Sequence, residues 1–112
     1  MINQLRIYEI PVENRGPFHD RFRDQATPIF ERHGFRIQAM WESERDGKVY
    51  FIYLLAWRDE AEMKACWAAF MADEEWAEIK RVTAAKHGNF VNGIEEFVLN
   101  PTPYSAAIGG AE

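Results

Sequence analysis

Over the first ten residues, apolar and polar side chains alternate. From Ile2 to Ile10, Leu5 and Ile7 fall on one face and Arg6 and Tyr8 on the other, which predicts a strand that Pro11 should end. After a loop from Val12 to Gly16 the period lengthens. Pro17 suits a first helical turn, and Phe18, Phe22, Ala26, Ile29, Phe30 and His33 recur at helical spacing up to Gly34, a residue suited to a helix end. Pro28 lies inside this pattern. It lacks a backbone donor and disfavours helical geometry at Thr27, so a kink or break is expected there.

Alternation returns from Phe35 to Glu44, with Phe35, Ile37, Ala39 and Trp41 expected on one face of a second strand. Asp46-Gly47 is a two-residue hairpin signal leading into a return strand, Lys48 to Trp57. Asp59 and Glu62 have the spacing of a capping box before a helix that carries Met63, Cys66, Trp67 and Phe70 on one stripe. Asp73 starts a further helix through Trp76, Ile79 and Thr83. Lys86 and His87 sit in its last turn, where positive charge suits the helix dipole, and Gly88 follows. Gly93 to Asn100 is a last strand, with Glu95, Phe97 and Leu99 opposed to Ile94, Glu96 and Val98. From Pro101 to Glu112 the chain reads as an arm, and we take residues 1–105 as one domain and 106–112 as a flexible tail. Strand, helix, strand, strand, helix, strand predicts an α+β, ferredoxin-like fold: a four-stranded antiparallel sheet with helices on one face.

The return strand alters this picture. Val49, Phe51, Tyr53, Leu55 and Trp57 point one way, Tyr50, Ile52, Leu54 and Ala56 the other, so both faces are apolar. Helices on one side of the sheet leave the second face bare, and a strand facing water should alternate with polar residues instead. A second copy packed on that face would cover it, which predicts a homodimer through the sheet; a C-terminal arm folded over the sheet is the monomeric alternative.

Composition narrows the chemistry. The 112 residues are 47% hydrophobic and 14% aromatic, enough for one folded core without staples. A net charge of −5 argues against nucleic acid as a partner. The longest apolar run, Val49 to Trp57, is too short to span a bilayer, so no membrane association is expected. One unpaired thiol, Cys66, suits a reducing compartment and a cytoplasmic location. The three His and one Cys show no metal-ligand rhythm, and no glycine-rich phosphate loop is present, so neither metal nor cofactor is expected.

Among single residues, Arg6 beside Tyr8 on a central strand could hold a carboxylate or enolate oxygen, or pair structurally with Glu9, Glu42 or Glu95. His33 could move a proton near neutral pH, or simply cap its helix; His19 and His87 read as surface residues. Tyr8, Trp41, Tyr53, Trp67, Phe70 and Trp76 could wall a ligand cavity between the sheet and the second helical region, or pack as core.

Several segments together resemble the NIPSNAP family of the dimeric α+β barrel superfamily. They are Leu5-Arg6-Ile7-Tyr8, Pro28 to Phe35, Trp41, Tyr53-Leu54-Leu55, Trp67 to Trp76, and Leu99 to Ser105. Glu74 stands where the family commonly has a proline, a position still compatible with a first helical turn. The resemblance implies a dimeric α+β barrel and a module that binds small molecules or proteins, with no assigned activity. The wider superfamily includes cofactor-free oxygenases, haem-degrading enzymes, lactone isomerases and aldoxime dehydratases, so fold alone assigns no reaction. Three readings follow. The first is a dimeric module binding a small apolar or aromatic ligand. The second is a cofactor-free oxygenase or isomerase acting on an aromatic or enolisable molecule, with Arg6 and Tyr8 holding an oxyanion and His33 moving the proton. The third is a protein-interaction module without a pocket.

Overall fold

A computed structural model describes residues 1–108 of the chain. Four strands, β1 (Ile2–Ile10), β2 (Arg36–Arg45), β3 (Lys48–Trp57) and β4 (Gly93–Leu99), form one sheet in the order β2-β3-β1-β4, and every neighbouring pair is antiparallel. The helices are α1 (Arg15–Arg21), α2 (Thr27–Arg32), α3 (Glu60–Met71) and α4 (Glu74–His87), and they pack on one face. This is the α+β, ferredoxin-like arrangement expected from the pattern. The expected tail begins within the described residues, and its positions 109–112 lie outside them.

The proline in the first helical region does not break it. Between α1 and α2 the chain widens into a π turn, Phe22–Ala26, and Thr27 N–H reaches Phe22 O rather than Arg23 O. In that wider register the donor facing Arg23 O would be residue 28, which is proline and has none. The Thr27 hydroxyl donates to Arg23 O instead, at 2.8 Å. A side chain thus supplies the bond the proline cannot, and the helical run continues to Arg32.

Turn and cap chemistry follows the sequence closely. Gly34 has φ of 86°, with Gly34 N–H on Glu31 O and Phe35 N–H on Phe30 O, the paired bonds of a left-handed helix end. Asp46 and Gly47 both have positive φ, as the tight hairpin turn requires. Asp59 accepts from Glu62 N–H at the start of α3, while the Glu62 carboxylate reaches back to Arg58 N–H, one residue beyond the usual partner. Asp73 caps α4 through Trp76 N–H.

One register shift overturns an expectation. A bulge between Ile37 and Ala39 turns the rest of β2 over. Ile37 stays with Leu55 on the helix side, but Trp41 lies opposite Ile52 on the open side, and Met40 and Glu42 take the helix side opposite Tyr53 and Phe51. Phe35, Ile37, Ala39 and Trp41 therefore do not share one face.

The core lies between helices and sheet. Tyr53, Leu55 and Trp57 of β3 are fully buried, with Phe18, Phe22, Ile29, Phe30, Phe35 and Phe70 packed on them. The other face carries Leu5, Ile7, Ile52 and Leu54, all half-buried, and the exposed rings of Trp41 and Phe97. No helix among the described residues is long and apolar enough to cross a membrane.

Candidate functional site

Strand alternation places Gln4, Arg6 and Tyr8 on the helix side of β1, where they form one polar network. The guanidinium of Arg6 donates to Glu96 and, at 3.1 Å, to the Tyr8 hydroxyl, and it stacks 4.2 Å from the Trp67 ring centroid. Arg6 does have an acidic partner, but it is Glu96 rather than Glu9, Glu42 or Glu95. The pairing of β1 with β4 sets Glu96 directly opposite Arg6, which turns Glu95 to the open face. Gln4, almost fully buried, gives its amide hydrogen to Glu96, and its carbonyl oxygen accepts from both Trp57 Nε1 at 3.0 Å and Trp67 Nε1 at 2.8 Å. Sequence reasoning missed Gln4. The available signal was a long polar side chain on the same face as Arg6 and Tyr8, in a strand at the centre of the sheet.

The network ends in a pair of tyrosine hydroxyls. Tyr53 is fully buried and its hydroxyl has one partner among the described residues, Tyr8 Oη at 2.6 Å. Burial pushes the Tyr53 phenol well above its ordinary value, with the neighbouring Tyr8 adding to this and Arg6 opposing it. Tyr53 therefore keeps its proton, and in its bond with Tyr8 either hydroxyl can be the donor. Tyr8 Oη also accepts from Arg6. Arg6 Nε is also buried without a partner among the described residues.

His33 stands apart from this network. Its Nε2 lies 2.8 Å from Asp73 Oδ2, and Arg32 reaches the same oxygen at 2.7 Å. These bonds, with Trp76 N–H, hold the Asp73 carboxyl well below the usual carboxylate range. His33 thus ties the end of α2 to the start of α4, and no hydrogen bond joins it to Arg6 or Tyr8 among the described residues.

The six rings divide. Tyr8, Tyr53 and Trp67 border the Arg6 network. Phe70 stacks on Phe30 with centroids 4.3 Å apart, and Trp76 packs on Phe70, so both serve solid core. Trp41 is on the open side of β2, at the edge of the sheet, and 49% exposed.

Open space lies beneath the first helical region instead. A groove of about 550 Å³ runs between it and β2. Phe22, Phe30, Phe35 and Phe51 make its floor, Ile37 and Met40 its β2 wall, and Trp41 borders it. At one end His19 Nε2 meets Glu42 Oε2 at 2.8 Å, and Arg15 clamps the same carboxylate through Nε at 2.9 Å and Nη2 at 2.6 Å. These bonds, Arg15 foremost, hold the Glu42 carboxyl down at about 2. The His19 ring rests edge-on against Phe18 and Phe51. A histidine oriented by an ionised carboxylate beside an apolar groove can exchange a hydrogen bond, or a proton, with a bound molecule. No local motif could reveal it, because Glu42 reaches the helix side only through the bulge.

The comparisons with known proteins agree with this architecture. The NIPSNAP family model matches residues 3–106. An uncharacterized NIPSNAP domain protein from Burkholderia xenovorans superposes with a TM-score of 0.80 at 17% identity, covering 96% of this chain and 100% of that one. A NIPSNAP family protein with unknown function from Agrobacterium tumefaciens gives 0.78 at 17% identity, over 94% and 91% of the two chains. A putative antibiotic biosynthesis monooxygenase from Nitrosomonas europaea shares the fold more distantly, with a TM-score of 0.59 at 13% identity over 90% and 98%. No curated protein matches the chain.

Proposed function

This chain belongs to the NIPSNAP family, and we propose that it works as a homodimer, joined through its open sheet face, in which each protomer binds a small apolar or aromatic molecule in the groove beneath the first helical region. The groove carries this reading. It has the size of a small-molecule site, an aromatic floor and a polar group at one end. The pairing is supported by the apolar open face, where Leu5, Ile7, Ile52, Leu54, Trp41 and Phe97 would otherwise meet water together. A cytoplasmic setting suits the single thiol of Cys66.

The catalytic alternative through Arg6, Tyr8 and His33 has weaker support, since His33 is held by Asp73 and none of the three lines the groove. Native mass spectrometry of the protein purified from its own host tests the proposal. The expected result is a dimer mass carrying one small-molecule adduct per chain. A bare monomer across a concentration series would overturn it.

A further inference from the structure

We propose that the groove selects molecules whose aromatic body carries a hydrogen-bond donor, a phenol, enol or ring N–H, and that His19 is the residue that accepts it. The inference rests on the groove being a ligand site and adds the chemical class of its occupant.

It begins with the charges around the groove. Two arginines stand near it, and both are committed. Arg15 is bound by Glu42 and by Glu44 at 2.6 Å, and Arg23 by Asp24 at 2.8 Å and Asp20 at 3.1 Å. A ligand carboxylate would have to compete with these carboxylates for the two arginines and would meet Glu31 and Glu42 on the lining. Anionic ligands are therefore disfavoured, although the floor suits an aromatic body.

The orientation of His19 supplies the positive half of the argument. Glu42 is ionised at any pH near neutral, because its proton is lost at about 2. An ionised carboxylate only accepts, so the Nε2 that faces it must carry hydrogen. In the neutral imidazole this fixes the tautomer and leaves the Nδ1 lone pair, which has no donor among the described residues. The Arg15 clamp on both Glu42 oxygens keeps that carboxylate, and through it the imidazole, in place. When its imidazole is neutral, His19 of the groove lining thus offers an oriented acceptor beside an apolar floor, complementary to a donor on an aromatic ring.

Calorimetric titration of the intact protein with three probes tests this: 2-naphthol, 2-methoxynaphthalene and 2-naphthoate. They share a ring system and differ in donor and charge. The expected order is 2-naphthol tightest, the methyl ether about tenfold weaker for want of the donor, and the carboxylate weakest. His19→Phe should abolish the difference in affinity between 2-naphthol and the ether. Met40→Glu, at the half-exposed groove wall, should weaken all three. If 2-naphthol and the ether bind equally to the wild type, or His19→Phe leaves their ratio intact, the donor selection is wrong while the groove remains a ligand site. If Met40→Glu changes nothing, or no probe binds, the groove reading itself falls and this inference with it.

Discussion

At the scale of single residues, the sheet–helix interface depends on Gln4. One buried amide oxygen satisfies two indole N–H groups, those of Trp57 and Trp67. Gln4→Leu keeps the volume and removes the acceptor that both indoles share, and Trp57 has no route to water. Urea denaturation should show a loss of about 2–3 kcal/mol, more than a typical surface polar residue, because the donors stay buried and unpaired. Glu42 gives a pH signature. Its carboxyl is held at about 2 in the folded state against an ordinary 4.5, so its contribution to stability is complete above 4.5 and is lost as pH falls through 2. Thermal melts from pH 5 to pH 2 should show a slope that is shallower in Glu42→Gln, by the share this carboxylate supplies. The sequence marked Arg6 and Tyr8 as neighbouring polar candidates because alternation put them on one face. It could not name Glu96 as the partner, since that choice depends on the register between β1 and β4, which no local pattern encodes.

At the scale of elements, the legible parts were those whose conformation a single residue dictates. Gly34, Asp46-Gly47, Asp59 and Asp73 end or begin their elements where expected, because each has few other conformational uses. Gly34 tests this directly. With φ at 86°, Gly34→Ala should cost about 1–2 kcal/mol in a denaturation series, although the added methyl would meet nothing nearer than the Cys66 sulfur at 3.7 Å. Gly16→Ala, in α1 with open space around it and no left-handed backbone, should stabilise by ~0.5 kcal/mol. Two features of the same scale were not legible. The consequence of Pro28 depended on whether Thr27 could reach Arg23 O, which needs the folded geometry. The bulge at Gln38 leaves no mark in the alternation itself, yet it moves Trp41 to the open face and Glu42 beneath His19. The candidate site therefore stayed hidden for the reason that Trp41 was misplaced: both lie past a one-residue slip, and each such slip exchanges the two faces of everything that follows.

At the scale of the whole molecule, that slip also provides a probe of assembly. Of the four tryptophans, Trp57 is fully buried, Trp76 nearly so and Trp67 is stacked on Arg6, whereas Trp41 is half exposed on the open face beside Ile52. Pairing through that face would move one indole per chain from water into an apolar interface and leave the other three unchanged. Dilution across the association range should therefore shift the fluorescence emission to longer wavelength, in step with the loss of dimer mass by light scattering. Trp41→Phe should abolish the spectral shift while leaving the mass change in place. Ile52→Arg should do the reverse of stabilising: a charge at the centre of the open face has no partner in a dry interface but is readily solvated in a monomer. The variant should run as a folded monomer at concentrations where the wild type is paired, with unchanged far-UV dichroism, because Ile52 contributes to the open face and not to the core between sheet and helices. A paired Ile52→Arg protein, or an emission spectrum independent of concentration while the mass changes, would mean that some other surface joins the chains.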